Sequence, residues 1–190
     1  VVVSLVMITT YAYQTLQVEY KDNSKEDLTV NAGVLDVTYT KTKTIEINNM
    51  PLLPNYKTAD YLEFTLDNTK STSNVAYNIT LKNIEYLSSM ASEDFKYTIV
   101  DATDSKNIPL TTGDFKDLNG DTFMLYNTTG MFDFIDQGKI KKIRIYLWLK
   151  NSDEDQSKFE NKTNSPSFKA NVEVTSIFVS DINDTSLNYN

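Results

Sequence analysis

Ile140-Lys141-Lys142-Ile143-Arg144-Ile145-Tyr146-Leu147-Trp148-Leu149-Lys150 is the stretch that decides the fold class. Ile143, Ile145, Leu147 and Leu149 fall on one side of an extended chain, while Lys142, Arg144 and Lys150 fall on the other. Alternation of period two marks a strand with one buried face. Trp148 breaks the pattern, because it shares the outward parity with Tyr146. A large aromatic ring on that side is expected to lie under a loop or a partner.

The same alternation recurs along the chain. Val30 to Thr40 alternates around Val34, Asp36 and Thr38. Tyr61 to Leu66 aligns Leu62, Phe64 and Leu66, and Val75 to Leu81 aligns Val75, Tyr77, Ile79 and Leu81. Phe168 to Ser180 aligns Ala170, Val172, Val174, Ser176 and Phe178. The opposite sides carry Thr, Lys, Glu and Asn, as a solvated antiparallel sheet requires. Ile84 to Phe95 reads differently: Tyr86, Leu87, Met90 and Ala91 stand at helical spacing, which predicts a short connecting helix. Turn signals recur from Thr111 to Gly138, at Thr112-Gly113-Asp114, Asn119-Gly120, Thr129-Gly130 and Gln137-Gly138. Lys150 to Ser167 reads as a long polar loop. The expectation is an all-β, two-sheet, jelly-roll-like sandwich of about eight strands with one inserted helix. Residues 1–20 form an apolar extension, and 21–190 form the sandwich domain.

Composition narrows the chemistry. With 18 basic and 26 acidic residues the net charge is −8, which disfavours nucleic acid and anionic lipid as partners. Histidine and cysteine are both absent. That removes disulfides, thiol nucleophiles, Ser-His-Asp triads and His-ligated zinc. Paired carboxylates could still do hydrolysis, but the acids are scattered over outward strand positions and no couple stands out. There is no Gly-rich phosphate loop. No enzyme activity and no cofactor are expected.

Asp117-Leu118-Asn119-Gly120-Asp121 places oxygen side chains at alternate positions, as a calcium loop begins. A helix-loop-helix calcium site needs Gly at its sixth position and an acid at its twelfth; here Thr122 and Thr128 stand there. Asp117, Asn119 and Asp121 are thus a weak calcium candidate, and a turn at Asn119-Gly120 is the stronger reading. The acidic run Asp153-Glu154-Asp155 reads as a solvated loop tip. Asn78, Asn127, Asn161 and Asn183 each begin an Asn-X-Ser/Thr sequon. Asn127, Asn161 and Asn183 fall in expected turns or loops where a glycan would fit, whereas Asn78 falls on the outer face of a strand.

The N-terminus is the least ordinary part of the sequence. Val1-Val2-Val3-Ser4-Leu5-Val6-Met7-Ile8-Thr9-Thr10-Tyr11-Ala12 has no charge, no Gly and no Pro, and is dense in β-branched residues. It is short for a membrane-spanning helix. It also resembles the apolar part of a signal peptide, with small residues flanking a cleavage point after Ala12. A third reading is a strand that completes another subunit's sheet. One parity would present Val1, Val3, Leu5, Met7, Tyr11 and Tyr13, and the other Val2, Val6, Ile8 and Ala12. Both are largely apolar, as suits a strand covered on both faces.

An order of short motifs now stands out: a leader ending Thr10-Tyr11-Ala12, then Ala32-Gly33-Val34-Leu35-Asp36-Val37, then Leu53-Pro54-Asn55-Tyr56 before the Phe64 strand. Leu66-Asp67-Asn68-Thr69, Val75-Ala76-Tyr77, the Lys142 to Lys150 strand, the Asn151 to Gln156 loop and the Ala170 to Phe178 strand follow. This order resembles the TasA/camelysin family of secreted bacterial matrix-fibre proteins and their archaeal relatives among bundling pili and threads. Pro54-Asn55-Tyr56 departs from that family's Pro-Gly-Asp turn, and Asn164-Ser165-Pro166 stands where a Gln-Gly element is expected. The metallopeptidase activity ascribed to some relatives is not carried over to a chain without histidine. The resemblance implies a cell-surface or biofilm-matrix filament, a head-to-tail homopolymer in which each N-terminal segment completes the next subunit's sheet. The competing readings are a membrane-anchored, pilin-like surface domain, with the membrane as partner only through the N-terminus, and a secreted carbohydrate-binding jelly roll.

Overall fold

A computed structural model describes residues 29–30, 33–48, 50–127, 134–152, 159 and 167–179. In chain order the strands are β1 (Thr29–Val30), β2 (Gly33–Val34), β3 (Asp36–Tyr39), β4 (Thr44–Asn48), β5 (Leu52–Leu53), β6 (Tyr61–Asp67) and β7 (Asn74–Tyr86). They continue as β8 (Phe95–Asp101), β9 (Ile108–Asp114), β10 (Thr122–Asn127), β11 (Phe134–Ile135), β12 (Ile140–Lys150) and β13 (Ser167–Val179). One sheet runs β3-β6-β12-β8-β9, with β5 added in parallel to the end of β12. The other runs β10-β7-β13-β4, with β11 also on β7, and β1 pairs with β2 separately. The chain is thus a sandwich of two antiparallel sheets, as the alternation predicts.

The core fills the space between the sheets. Ile143, Ile145, Leu147 and Leu149 of β12 face Val75, Tyr77, Ile79 and Leu81 of β7 within one apolar cluster, all at most 2% exposed. Leu62, Phe64 and Leu66 of β6 and Phe168, Ala170, Val172 and Val174 of β13 complete it. At one end aromatic rings meet: Phe95 stacks on Phe115 at 4.3 Å between centroids, and Phe168 meets Phe95 edge-on at 5.1 Å. Such pairs add a fraction of a kcal/mol to about 1.5 kcal/mol beyond area burial.

Two local expectations are corrected. The helix expected over Ile84 to Phe95 is not formed. Strand β7 continues through Ile84 to Tyr86, bent where Asn83 takes a positive φ of 52°, and only a single 3-10 turn, Ser88–Met90, follows. Ile84 and Met90 both reach the core, from a strand and a turn rather than from one helix face. Thr112-Gly113-Asp114 is not a turn but the end of β9, where Gly113 lies opposite Tyr97. A side chain at Gly113 would run into the Tyr97 ring, which explains the glycine. Asn119-Gly120 does turn, with Gly120 at φ 101°, but it leads from one sheet to the other and closes no hairpin.

Trp148 is 7% exposed and Tyr146 8%, so the outer face of β12 is covered at this end. Tyr56, in the 3-10 turn Tyr56–Thr58, packs edge-on against Tyr146 at 5.2 Å. Trp148, expected to lie under a loop or a partner, is itself buried, and the ring contact from the 3-10 turn is to its neighbour on the same face, Tyr146. The Trp148 indole nitrogen is buried with no acceptor among the described residues.

Between β3 and β4 the chain changes sheet. Strand β3 pairs with β6 in register Asp36↔Asp67 to Tyr39↔Phe64, and the Thr40 N–H still donates to the Glu63 carbonyl at 3.0 Å. The chain then leaves that sheet, and Thr44–Asn48 pairs instead with Asn171 to Ser167 of β13. The Lys43 carbonyl already accepts from the Val172 N–H at 2.8 Å. One nearly continuous strand thereby serves half of each sheet's edge.

Candidate functional site

The sheet change leaves a gap beside β6. Past Thr40 no described strand accompanies Tyr61 and Leu62 on that side, and among the described strands β4 has a partner on one side only. Between these two strand edges lies a groove of about 340 Å³. Its apolar lining is Ile45 and Ile47 from β4, Leu62 from β6, and Ile145 and Leu147 from β12. Thr40, Lys41 and Thr42 line it where the chain crosses over, and Ala59, Asp60 and Tyr61 also contribute. Ile47 shares the inward parity of Ile45 but is only half-buried, whereas Ile45 is 7% exposed. The core is therefore incompletely roofed at Ile47.

A charge cluster fixes one rim. Glu63 Oε2 accepts from Arg144 Nε at 2.7 Å, Oε1 accepts from the Thr40 hydroxyl at 3.2 Å, and Lys142 Nζ stands 3.9 Å away. Burial alone pushes the Glu63 carboxyl up, but the hydrogen bonds from Arg144 and Thr40 and the charges of Arg144 and Lys142 outweigh it and hold it below the usual range. The Arg144 guanidinium also lies over the Tyr61 ring at 4.6 Å from its centroid, a cation–π contact. Glu63 thus ties the point where β3 ends to the middle of the sheet.

None of the described residues singled out in the sequence as site candidates lines the groove. Val1, Val2, Val3, Leu5, Val6, Met7, Ile8, Tyr11 and Tyr13 lie outside the described residues, as do Asn161, Asn183, the 153–155 acidic run and the boundary at residue 20. Asp117, Asn119 and Asp121 are all exposed on the β9–β10 connection, and among the described residues no three acids gather as metal ligands. Asn127, expected in a turn, is instead the last residue of β10, directly opposite Asn78 of β7. Asn78 is half-buried with Thr175 on its other side, so a glycan there would crowd strands on both flanks. Among the described residues no helix is long and apolar enough to cross a membrane.

The groove itself was not read from the sequence. Its only sequence signal is the polar break Lys41-Thr42-Lys43 between two runs that keep the same inward parity, Val37 and Tyr39 before it, Ile45 and Ile47 after it. Comparison with known proteins adds no assignment: no family model, no curated protein and no solved structure matches the chain.

Proposed function

We propose that this chain is the structural subunit of an extracellular filament that grows head to tail, the N-terminal segment of one copy completing the sandwich of the next. The observation that carries the reading is the apolar groove between two strand edges that no described strand accompanies, beside an inward isoleucine that is only half-buried. The sequence supplies a matching occupant in Val1 to Tyr13, uncharged and rich in β-branched side chains. Strand addition gives main-chain hydrogen bonds, with alternate side chains for specificity. A head-to-tail contact that does not close on itself propagates as a filament. Burying about five such side chains would contribute roughly 8–15 kcal/mol gross, from which ordering the segment subtracts. The motif order shared with matrix-fibre proteins supports the same reading, and with it a cell-surface location and a role without catalysis.

Negative-stain microscopy of the purified chain tests this directly. The whole chain is expected to form filaments, and a chain lacking Val1 to Ala12 is expected to remain monomeric. A free peptide of Val1 to Tyr13 should raise the melting temperature of the shortened chain by mass action. Filaments from the shortened chain, or a peptide without effect on its melting, would overturn the reading.

A further inference from the structure

The groove has two walls, and an incoming strand can hydrogen-bond to only one, since packed sheets stand about 10 Å apart. We infer that the acceptor is β4, through the backbone groups of Glu46 and Asn48; this rests on the strand-exchange reading above. The Lys43 carbonyl accepts from the Val172 N–H at 2.8 Å. Lys43 and Val172 continue the register Thr44↔Asn171, so they are a pair that bonds across the ladder. In an antiparallel ladder such pairs alternate with non-bonded ones. Ile45 with Ala170 and Ile47 with Phe168 are then the next bonded pairs. The N–H and C=O groups of Thr44, Glu46 and Asn48 consequently point away from β13.

One contact checks this assignment independently. The Thr44 N–H, which should point outward, is taken by the Thr42 hydroxyl oxygen at 3.1 Å. That side chain ends the free edge at its first residue. Glu46 and Asn48 are both exposed, and β4 pairs with no described strand other than β13. Among the described residues no partner takes their outward N–H and C=O groups, which are spaced to match alternate residues of one added strand. On the opposite wall the Thr40 N–H to Glu63 carbonyl bond leaves only Tyr61 with outward groups before β6 begins. The longer free ladder is on β4.

The occupant is Val1 to Tyr13 of a second copy. No side chain in it is charged, so none opposes the rim residues Lys41, Glu46 and Asp60. Its odd parity carries the bulkier set, Leu5, Met7, Tyr11 and Tyr13, against Val6, Ile8 and Ala12 on the even side. The odd side chains are the ones to turn inward over Ile47.

Glu46→Pro tests the acceptor. Proline there deletes the outward N–H while the bonded residues Ile45 and Ile47 keep theirs, and proline is tolerated on an edge strand when its missing N–H faces solvent. The expected result is a folded monomer whose critical concentration for filament growth rises about tenfold or more. Amide exchange on the wild-type chain, monomer against filament, needs no substitution: the Glu46 and Asn48 amides should become protected on assembly. If wild-type filaments form, depend on Val1 to Ala12, and leave those two amides unprotected, the β4 assignment is wrong while strand exchange survives. If E46P is folded and assembles as the wild type does, the assignment is equally overturned. If the wild-type chain forms no filaments at all, both readings fall together.

Discussion

The Tyr39 hydroxyl of β3 donates to the Val172 carbonyl of β13 at 2.9 Å, a bond between the two sheets across 133 residues of sequence. The Tyr39 ring meanwhile packs on Phe64 of its own sheet at 5.5 Å. The bond sits where the chain changes sheet and holds the two halves of that strand in place.

Tyr39→Phe keeps the ring and removes the bond. Stability should fall by about 1 kcal/mol, read as a lower urea midpoint with an unchanged denaturant slope. No change in midpoint would mean that the hydroxyl contributes nothing across the sheets.

Asn68 should tolerate substitution least. It is fully buried, and its Nδ2 donates to the carbonyls of Ser73, Ile135 and Asp136 at 2.9–3.1 Å. Three surrounding carbonyls fix which side-chain atom is the nitrogen. Asn68→Asp has nearly the same shape but turns an acceptor toward three acceptors. A loss of about 3 kcal/mol or more is expected, measured by chemical denaturation. A loss below that of Asn68→Ala would contradict the polarity assigned here.

Gly113→Ala places a methyl group against the Tyr97 ring. That ring is held by edge-on contacts to Phe115 at 5.4 Å and Phe123 at 6.2 Å, so it cannot move freely. The expected cost is about 1–3 kcal/mol. Burial and then the nearby Asp114 charge push the Tyr97 hydroxyl above its ordinary range. Displacing the ring toward solvent should lower its titration midpoint, followed by ultraviolet absorbance at alkaline pH.

Glu63 makes stability fall in acid. Its carboxyl lies below the usual value in the folded chain, so the unfolded chain binds its proton first. The contribution is fully present above the ordinary carboxylate value of 4.5 and is lost as pH drops through the lower folded value. In Glu63→Gln the slope of stability against pH below that point should be shallower. An identical slope would remove Glu63 from the acid response.

Legibility in the sequence followed position in the sheets. Strands β6, β7, β12 and β13 each show alternation over most of their length, because each buries one parity there, as Leu62, Phe64 and Leu66 do. Strand β8 blurs its pattern at its C-terminal half, where Thr98 and Val100 are fully buried on the side opposite Ile99. Strand β9 carries Pro109 and Gly113, which read as punctuation. The false helix arose because Tyr86, Leu87, Met90 and Ala91 all pack on the same core, from the end of β7 and the single 3-10 turn after it. The groove was out of reach because it depends on which sheet Thr44–Asn48 joins, a choice made by β13 far along the chain.

That dependence sets an order in time. Among the described strands β4 is aligned by β13 alone, the last of them, while the segment proposed to be donated precedes both in the chain. Chains emerge N-terminus first, and pairing across so long a separation forms late. On the proposed reading, a nascent chain carries the donor segment long before it has an edge to receive one. Premature capture of a neighbour would then be postponed until β13 docks, so that only finished subunits could be joined.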